Sequence, residues 1–210
     1  MSDEQHKEAM ERLAAAAQKR GEPDLTERIS YHICDYRDTP SLFGLNRGGA
    51  FDGVVSVEMI EAVGHENLPE YFNSVAAAMK PGRGIFSLQA ISIPDARYEA
   101  YRVSSDFIRE FIFPGGHLPC HSIMTKCAKA ANLGAAAEFC LDIGPDYALT
   151  LRAWRRAWEA NKDTIVRTLG YSFELYRTYL FYFAYCEAAF QEKVLHDFVL
   201  SWTHTGCEVS

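Results

Sequence analysis

Two strand patterns separated by one amphipathic helix pattern constrain the fold of this chain more than any other feature. Phe51 to Val57 and Ile85 to Ile93 are apolar runs bounded by glycine. Between them, a predicted helix begins at Pro69 and ends before Pro81-Gly82. The apolar residues on its one face are Tyr71, Phe72, Val75, Ala76 and Met79. Because strand, helix, strand alternation gives parallel neighbouring strands covered by the helix, the pattern predicts an α/β fold.

The N-terminal segments carry shorter signals. Ser2 and Gln5 have the spacing of a capping box that begins a helix, and Gly21 ends it. Ile29 to Cys34 is a candidate strand, and Thr39 to Ala50 contains the Pro, Gly and Asn residues of a loop. No internal repeat is present.

Beyond Pro94 the pattern becomes mainly helical. The predicted helices are Ala96 to Phe113, Ser122 to Ala131, Ala148 to Leu169 and Phe173 to Lys193. Predicted strands cover about Glu138 to Ile143 and Val194 to His204. We therefore expect a partial, mostly parallel sheet with an antiparallel last strand and an added helical lid.

Composition excludes several function classes. With 48% hydrophobic and 23% charged residues, the 210-residue chain resembles an ordinary soluble protein with a sizeable core. The net charge of −7 argues against broad nucleic-acid binding, which needs clustered Lys and Arg. Its longest apolar run, Tyr179 to Cys186, is far shorter than the roughly 20 residues that span a bilayer. Six cysteines without a CxxC pair or a secretory signal predict reduced thiols, and we expect a cytoplasmic protein.

One cluster has metal-ligand residue types. His117, Cys120 and His121 lie within five positions of one another. No second Cys/His pair stands at zinc-site distance, so a polar loop beside a helix start is the favoured interpretation, and no metal is expected.

Candidate site residues follow the predicted strands, because ligands bind beyond the carboxyl ends of strands in open parallel sheets. Glu58 and Glu61 lie in the apolar string VVSVEMIEAVG, where carboxylates are unfavourable unless they bind something. Glu61 as a helix cap or as a partner of an arginine is an equally good explanation. Gln89 lies in the apolar strand IFSLQAISI and must satisfy both its donor and its acceptor. For Tyr182 and Cys186, on an aromatic helix, plain packing is the favoured interpretation.

Six strings follow one another in the order found in a known enzyme family. They are ICDYRD, FDGVVSVEMIEAVGHENLPEYF, ISIPDARYEAY, DFIREFIFPGGHLP, DIGPDYALTLRAW and YFAYCEAAF. The chain thereby resembles cyclopropane-fatty-acyl-phospholipid synthases and mycolic acid cyclopropane synthases over nearly its whole length. FIFPGGHLP and EMIEAVGHE are specific to that family and are not general to methyltransferases.

The resemblance implies a Rossmann-like class I methyltransferase that uses S-adenosylmethionine. In such enzymes the cis double bond of a phospholipid acyl chain attacks the methyl group, and a bound bicarbonate removes the proton that permits ring closure. Motif alignment assigns the holding of bicarbonate to Glu61, Gln89 and Tyr182, with the backbone amide of Ile91. This chemistry places the protein at a membrane surface, as a peripheral protein, and leaves a homo-oligomer open.

Other roles also come from the resemblance. The residues matched to the cofactor site are Gln5, Asp35, Tyr36, Val57 and Glu58. The aromatic residues suited to stabilising a cation are Phe111, Phe113, Tyr147 and Tyr182.

The chain also departs from the family. It has no GxGxG loop after a first strand, no match to a family Cys that contacts bicarbonate, Ala62 where a His is common, and an apparent insertion at Thr39 to Ala50. We therefore expect an N-terminally truncated single domain, with residues 1–93 forming part of the cofactor half and residues 94–210 the lipid lid and final strands. Alternatives are a non-catalytic remnant that binds lipid or an intact homologue, and a small-amine N-methyltransferase.

Overall fold

The computed structural model describes residues 2–43, 49 and 51–206. The α-helices there are α1 (Asp3–Arg20), α2 (Leu25–Arg28), α3 (Thr39–Leu42), α4 (Leu68–Ala78), α5 (Asp95–Arg102), α6 (Phe107–Phe111), α7 (His121–Ala130), α8 (Gly144–Ala160) and α9 (Phe173–Gln191). The strands are β1 (Gly53–Val57), β2 (Ile85–Ser92), β3 (Phe139–Asp142) and β4 (His196–Thr203). Short 3-10 helices span Tyr36–Asp38, Ile60–Ala62 and His65–Asn67, and a π-helical turn spans Thr164–Thr168.

The four strands form one sheet in the order β1-β2-β4-β3. β1 pairs with β2 in parallel, whereas β4 is antiparallel to both of its neighbours, β2 and β3. Three strands therefore run one way and the last strand runs against them. The predicted α/β class, with a mostly parallel sheet and an antiparallel final strand, is confirmed.

One face of the sheet carries the main core. Alternate residues of β2, Phe86, Leu88 and Ala90, are fully buried beneath α4 and α7. Trp202 of β4 stacks on Phe86 with ring centroids 5.7 Å apart, and Phe72 of α4 meets Trp202 edge-on at 6.0 Å. This aromatic cluster fixes α4 on the sheet and so fixes where β1 ends.

Among the described residues, the opposite face is covered only in part. Ile91 of β2 packs against a second core between α8 and α9, whose buried members are Ala148, Leu151, Phe183, Cys186 and Phe190. Arg152 of α8 also donates to Glu187 of α9 at 2.7 Å. On the same face of the edge strand β1, Val55 and Val57 are 72% and 59% exposed. The predicted helical lid is therefore present, but it covers only part of this face.

The capping box at the N-terminus is confirmed. The Gln5 amide N–H donates to Ser2 Oγ, and the Ser2 amide donates to Gln5 Oε1 at 2.9 Å. Gly21 ends α1 in the left-handed conformation, with φ +68°.

The candidate strand Ile29 to Cys34 was wrong. These residues form irregular backbone and lie outside the sheet, and Ile33 is half exposed. Apolar composition alone does not make a strand, because a strand also needs a neighbour to pair its backbone groups.

Three predicted spans differ from the structure in their bounds or in the elements that they contain. The predicted helix Ala96 to Phe113 is two helices, because Asp106 caps α6 by accepting from the amides of Ile108 and Arg109. The predicted helix Ala148 to Leu169 begins earlier, at Gly144, and its α-helical part ends at Ala160. Within the predicted loop Thr39 to Ala50, Thr39–Leu42 is helical, and residues 44–48 and 50 lie outside the described residues.

Candidate active site

The turn after β1 places the first carboxylates. Glu58 has φ +48°, a left-handed conformation that costs a residue with a Cβ about 1 kcal/mol or more. Its amide still donates to the Gln89 carbonyl at 3.0 Å and so extends the β1–β2 ladder by one bond. The following 3-10 helix is anchored by the fully buried Ile60. The chain therefore turns sharply toward the end of β2, carrying Glu61 with it.

Glu61 is held by the backbone of β2. One carboxylate oxygen, Oε1, accepts from the Ile91 amide at 2.7 Å, while Oε2 is buried without a hydrogen-bond partner. Burial raises the pKa of Glu61 to about 7, against the lowering effect of its backbone hydrogen bonds; the nearby carboxylates of Glu58 and Asp197 raise it further. Glu61 can therefore exchange a proton near neutral pH.

Gln89 lies between two carboxylates. Its side-chain Nε2 donates to Glu58 Oε1 at 3.1 Å and to Asp197 Oδ2 at 3.0 Å. Because ionised carboxylates only accept hydrogen bonds, both N–H groups of the amide are used and its orientation is fixed. Oε1 is then the remaining polar atom of this side chain, and it is an acceptor.

Asp197 is the site residue that sequence reasoning missed. It lies on β4 opposite Ile91, is completely buried, and its Oδ1 has no partner. Burial, and to a smaller extent Glu58 and Asp142, raise its pKa to about 6, although the bond from Gln89 lowers it. A carboxylate inside the apolar string VLHDFVL was the available signal.

Aromatic residues of the lid close over this cluster. The Tyr147 hydroxyl donates to Glu58 Oε1, and burial raises the Tyr182 pKa to about 12, with Cys186 and Glu58 adding to the rise. The Phe113 ring meets Tyr182 edge-on at 6.2 Å. Phe111 instead packs on Phe107 at 5.5 Å.

Cys186 is a packing residue, as the sequence favoured. It is buried between α8 and α9, and burial raises the pKa of its thiol to about 12. A thiol with such a pKa is almost entirely protonated at neutral pH, and it is therefore a poor nucleophile.

The FPGGH segment forms a tight turn that binds the Glu61 backbone. The Gly116 amide donates to the Phe113 carbonyl at 2.9 Å, and Gly115 has φ +81°; with Pro114 before it, these are the features of a type II turn. Directly after it, the His117 amide donates to the Glu61 carbonyl at 2.8 Å. One turn thus positions both the ring of Phe113 and the main chain of Glu61.

The three residues with metal-ligand types have separate partners. His117 Nε2 is 3.0 Å from the Tyr98 hydroxyl, Cys120 is the N-cap residue of α7, and His121 packs edge-on against Phe198 at 5.7 Å. Within residues 2–43, 49 and 51–206, no three His, Cys, Asp or Glu side chains are arranged to hold a metal ion.

Three residues matched to the cofactor site, Asp35, Tyr36 and Gln5, each have separate partners. Asp35 binds the Arg37 guanidinium through two hydrogen bonds of 2.8 and 2.7 Å, which lower the Asp35 pKa to about 2. Tyr36 packs edge-on against Tyr71 at 5.6 Å, and the Gln5 side-chain oxygen is used in its capping box. In the described part of the chain, no hydrogen bond links these residues to Glu58 or Val57.

Comparisons with known proteins agree with the strings recognised in the sequence. A model of the mycolic acid cyclopropane synthetase family matches residues 1–199. The tuberculostearic acid methyltransferase UfaA1 of Mycobacterium tuberculosis is 35% identical over 203 residues, which are 97% of this chain and 43% of that protein. The cyclopropane-fatty-acyl-phospholipid synthase of Escherichia coli is 31% identical over 165 residues, 79% of this chain and 38% of that one. The chain thus spans less than half the length of these two relatives.

Solved structures support the fold. The mycolic acid cyclopropane synthase CmaA1, in complex with SAH and CTAB, matches with a TM-score of 0.65 and 26% identity over 75% of this chain and 57% of that one. A sarcosine dimethylglycine methyltransferase from Galdieria sulphuraria, at 10% identity, covers 94% of this chain and 66% of that one with a TM-score of 0.64, and shows the shared fold alone. The chain has a class I methyltransferase fold and belongs to the mycolic acid cyclopropane synthetase family.

Proposed function

We propose that this chain forms the substrate side of an S-adenosylmethionine-dependent methyltransferase that acts on a cis double bond of a phospholipid acyl chain. One observation supports this most: Glu61 holds a buried, unpartnered carboxylate oxygen at the carboxyl end of β2, with a pKa near neutrality. A base of this kind is what proton removal from a transient carbocation requires.

S-adenosylmethionine, when bound, supplies an electrophilic methyl group. On the proposed assignment, Val57 and Glu58 lie at its methionine end, Asp35 and Tyr36 near adenine, and Gln5 on the preceding helix. Glu58 fits this role, since it is exposed at the carboxyl end of β1, where open sheets bind ligands.

The lid residues are proposed to bind the acyl chain. When the double bond attacks the methyl group, positive charge develops on the neighbouring carbon, and the ring of Tyr182 stabilises it by cation–π attraction of about 2 kcal/mol in a dry pocket. Loss of a proton from the transferred carbon then closes the cyclopropane ring.

The proposed location is the surface of a membrane, on its cytoplasmic side. Aromatic residues of the lid that are exposed are Phe111, Phe113, Phe181 and Tyr185. Such rings favour the interface between lipid and water, and from there an acyl chain can enter. Across the described residues, no helix is both long and apolar enough to cross a bilayer.

The experiment that tests the function has two steps. The purified chain, shown to be folded by circular dichroism, is titrated with S-adenosylmethionine by calorimetry. It is then mixed with vesicles of a monounsaturated phospholipid, and the acyl chains are analysed by mass spectrometry for the gain of one CH2. Methylation by the parent chain that is lost in Glu61→Gln supports the proposal. A folded chain that neither binds nor methylates contradicts it.

A non-catalytic binding protein is the second candidate, and one observation favours it. β1 is an edge strand of the sheet, and its Val55 and Val57 are exposed. Parallel strands are normally covered on both faces, so this surface is suited to association with another chain. Lipid or protein binding without methylation would distinguish this candidate.

A further inference from the structure

The polar groups around Glu61 do not form a cradle for an anion. We propose that Glu61 itself accepts the proton in this site, in place of a bound bicarbonate, and that Asp197 and Gln89 keep the anion out. The inference rests on the proposed function for its catalytic part, whereas its anion-binding part is independent of it.

The hydrogen-bond donors matched to bicarbonate are already used. The Ile91 amide donates to Glu61 Oε1, and both N–H groups of Gln89 donate to carboxylates. Of the four groups matched to the anion, only the Tyr182 hydroxyl keeps a free donor; Glu61 is itself an acceptor when ionised. A single hydroxyl does not replace the hydration shell of a buried anion.

The charges around the site also oppose an anion. Glu58 and Asp197 lie on either side of the Gln89 amide, and Glu61 is close enough to both that each raises its pKa. Among the residues that the structure describes, no Lys or Arg side chain forms an ion pair with Glu58, Glu61 or Asp197. A negative field of this kind instead stabilises a cation.

Asp197 fixes this arrangement. Gln89 Nε2 donates to two carboxylates. If the Gln89 amide turned to offer an N–H group to a ligand, the buried Asp197 would lose its side-chain donor, which costs about 1–3 kcal/mol or more. The acceptor Oε1 is then the one polar atom of Gln89 left for a ligand, and Gln89 offers no N–H group to an anion.

The proton balance closes without a co-reactant. The double bond forms a carbon–carbon bond to the methyl group as the sulfur–carbon bond breaks, which leaves the substrate cationic. Glu61 Oε2 takes one proton from the transferred carbon, and the freed electron pair closes the three-membered ring. Glu61 ends neutral, and its pKa of about 7 permits return of the proton to water.

The test uses ¹³C-bicarbonate as the probe. NMR line widths of the labelled anion are followed during titration with the whole chain, with Glu61→Gln, and with Asp197→Asn, which removes one charge while its amide oxygen can still accept from Gln89. We expect no saturable binding to the parent chain. Saturable binding that is lost in Glu61→Gln would overturn the inference.

Methylation rates give a second readout in buffer freed of carbon dioxide. We expect rates with and without bicarbonate to agree within about twofold. A tenfold or greater loss on removal of bicarbonate, restored by its return, overturns the inference. If the chain methylates no lipid in either buffer, the proposed function fails and the NMR titration alone decides: absence of binding supports exclusion of the anion, and saturable binding that is lost in Glu61→Gln refutes it.

Discussion

The amide of Ile91 donates to Glu61 Oε1 at 2.7 Å, while Glu61 Oε2 remains buried and unpartnered. One bond therefore holds the carboxylate in place, and the other oxygen has its lone pairs unused. The same carboxylate is destabilised by burial and by Glu58 and Asp197, so its ionisation opposes folding.

Replacing Glu61 with Gln should stabilise the protein above neutral pH. The pKa of Glu61 is raised from 4.5 in the unfolded chain to about 7 in the folded one, so the folded state binds the proton more tightly. The stability associated with Glu61 is fully present below pH 4.5 and is lost as the pH rises through about 7. At pH 8 the loss is about 3 kcal/mol, at about 1.4 kcal/mol per pKa unit.

Urea unfolding of the parent chain and of Glu61→Gln at pH 4.5 and pH 8 measures this effect. The free energy of unfolding of the variant, relative to the parent, should rise between the two values. Glu66→Gln is the matched control, since Glu66 is exposed on the next turn and should show no such pH-dependent difference. Equal differences at both pH values would contradict the prediction.

Replacing Gln89 with Leu should destabilise the fold more at pH 8 than at pH 5. The change leaves Asp197 buried with no side-chain donor, which costs about 1–3 kcal/mol while the carboxylate is ionised. Below its pKa of about 6, Asp197 is protonated and the cost falls. Ser87→Ala, on the same strand and face, removes only the bond to Ser201 and should cost about 1 kcal/mol at both pH values.

Replacing Gly115 with Ala should weaken the site as well as the fold. Gly115 has φ +81° and open space around it, so the cost of an alanine is the backbone strain alone, about 1–2 kcal/mol. Gly21→Ala imposes a similar strain at the end of α1, far along the chain from the site. Both variants should lose similar stability by urea unfolding, but only Gly115→Ala should also slow the methylation of monounsaturated phospholipid vesicles that tests the proposed function.

Replacing Val55 with Lys should reduce self-association without destabilising the monomer. Val55 is 72% exposed on the edge strand, and substitutions at such positions usually change stability by about 0.5 kcal/mol or less. Sedimentation velocity should show less oligomer or aggregate than in the parent chain. Val54→Lys is the contrasting variant, because Val54 packs against the core and its replacement should cost stability.

The sequence by itself determined the central βαβ unit, the capping box of α1 and the helical character of the chain beyond Pro94. These signals are local: a periodicity of two or 3.6 residues and a cap recognisable over four residues. Pairing partners are not local, and for that reason Ile29 to Cys34 looked like a strand although the sheet leaves it unpaired.

In the candidate site, too, some features could be predicted from the sequence and others depend on the tertiary structure. Glu61 and Gln89 could be selected from the sequence because polar residues in apolar strings need a partner or a ligand. That the partner of Gln89 is Asp197, 108 positions away, was decided only when β4 paired with β2 in antiparallel register. Burial and the mutual repulsion of carboxylates set the pKa of Glu61, and both depend on distances that the chain acquires only in its tertiary structure.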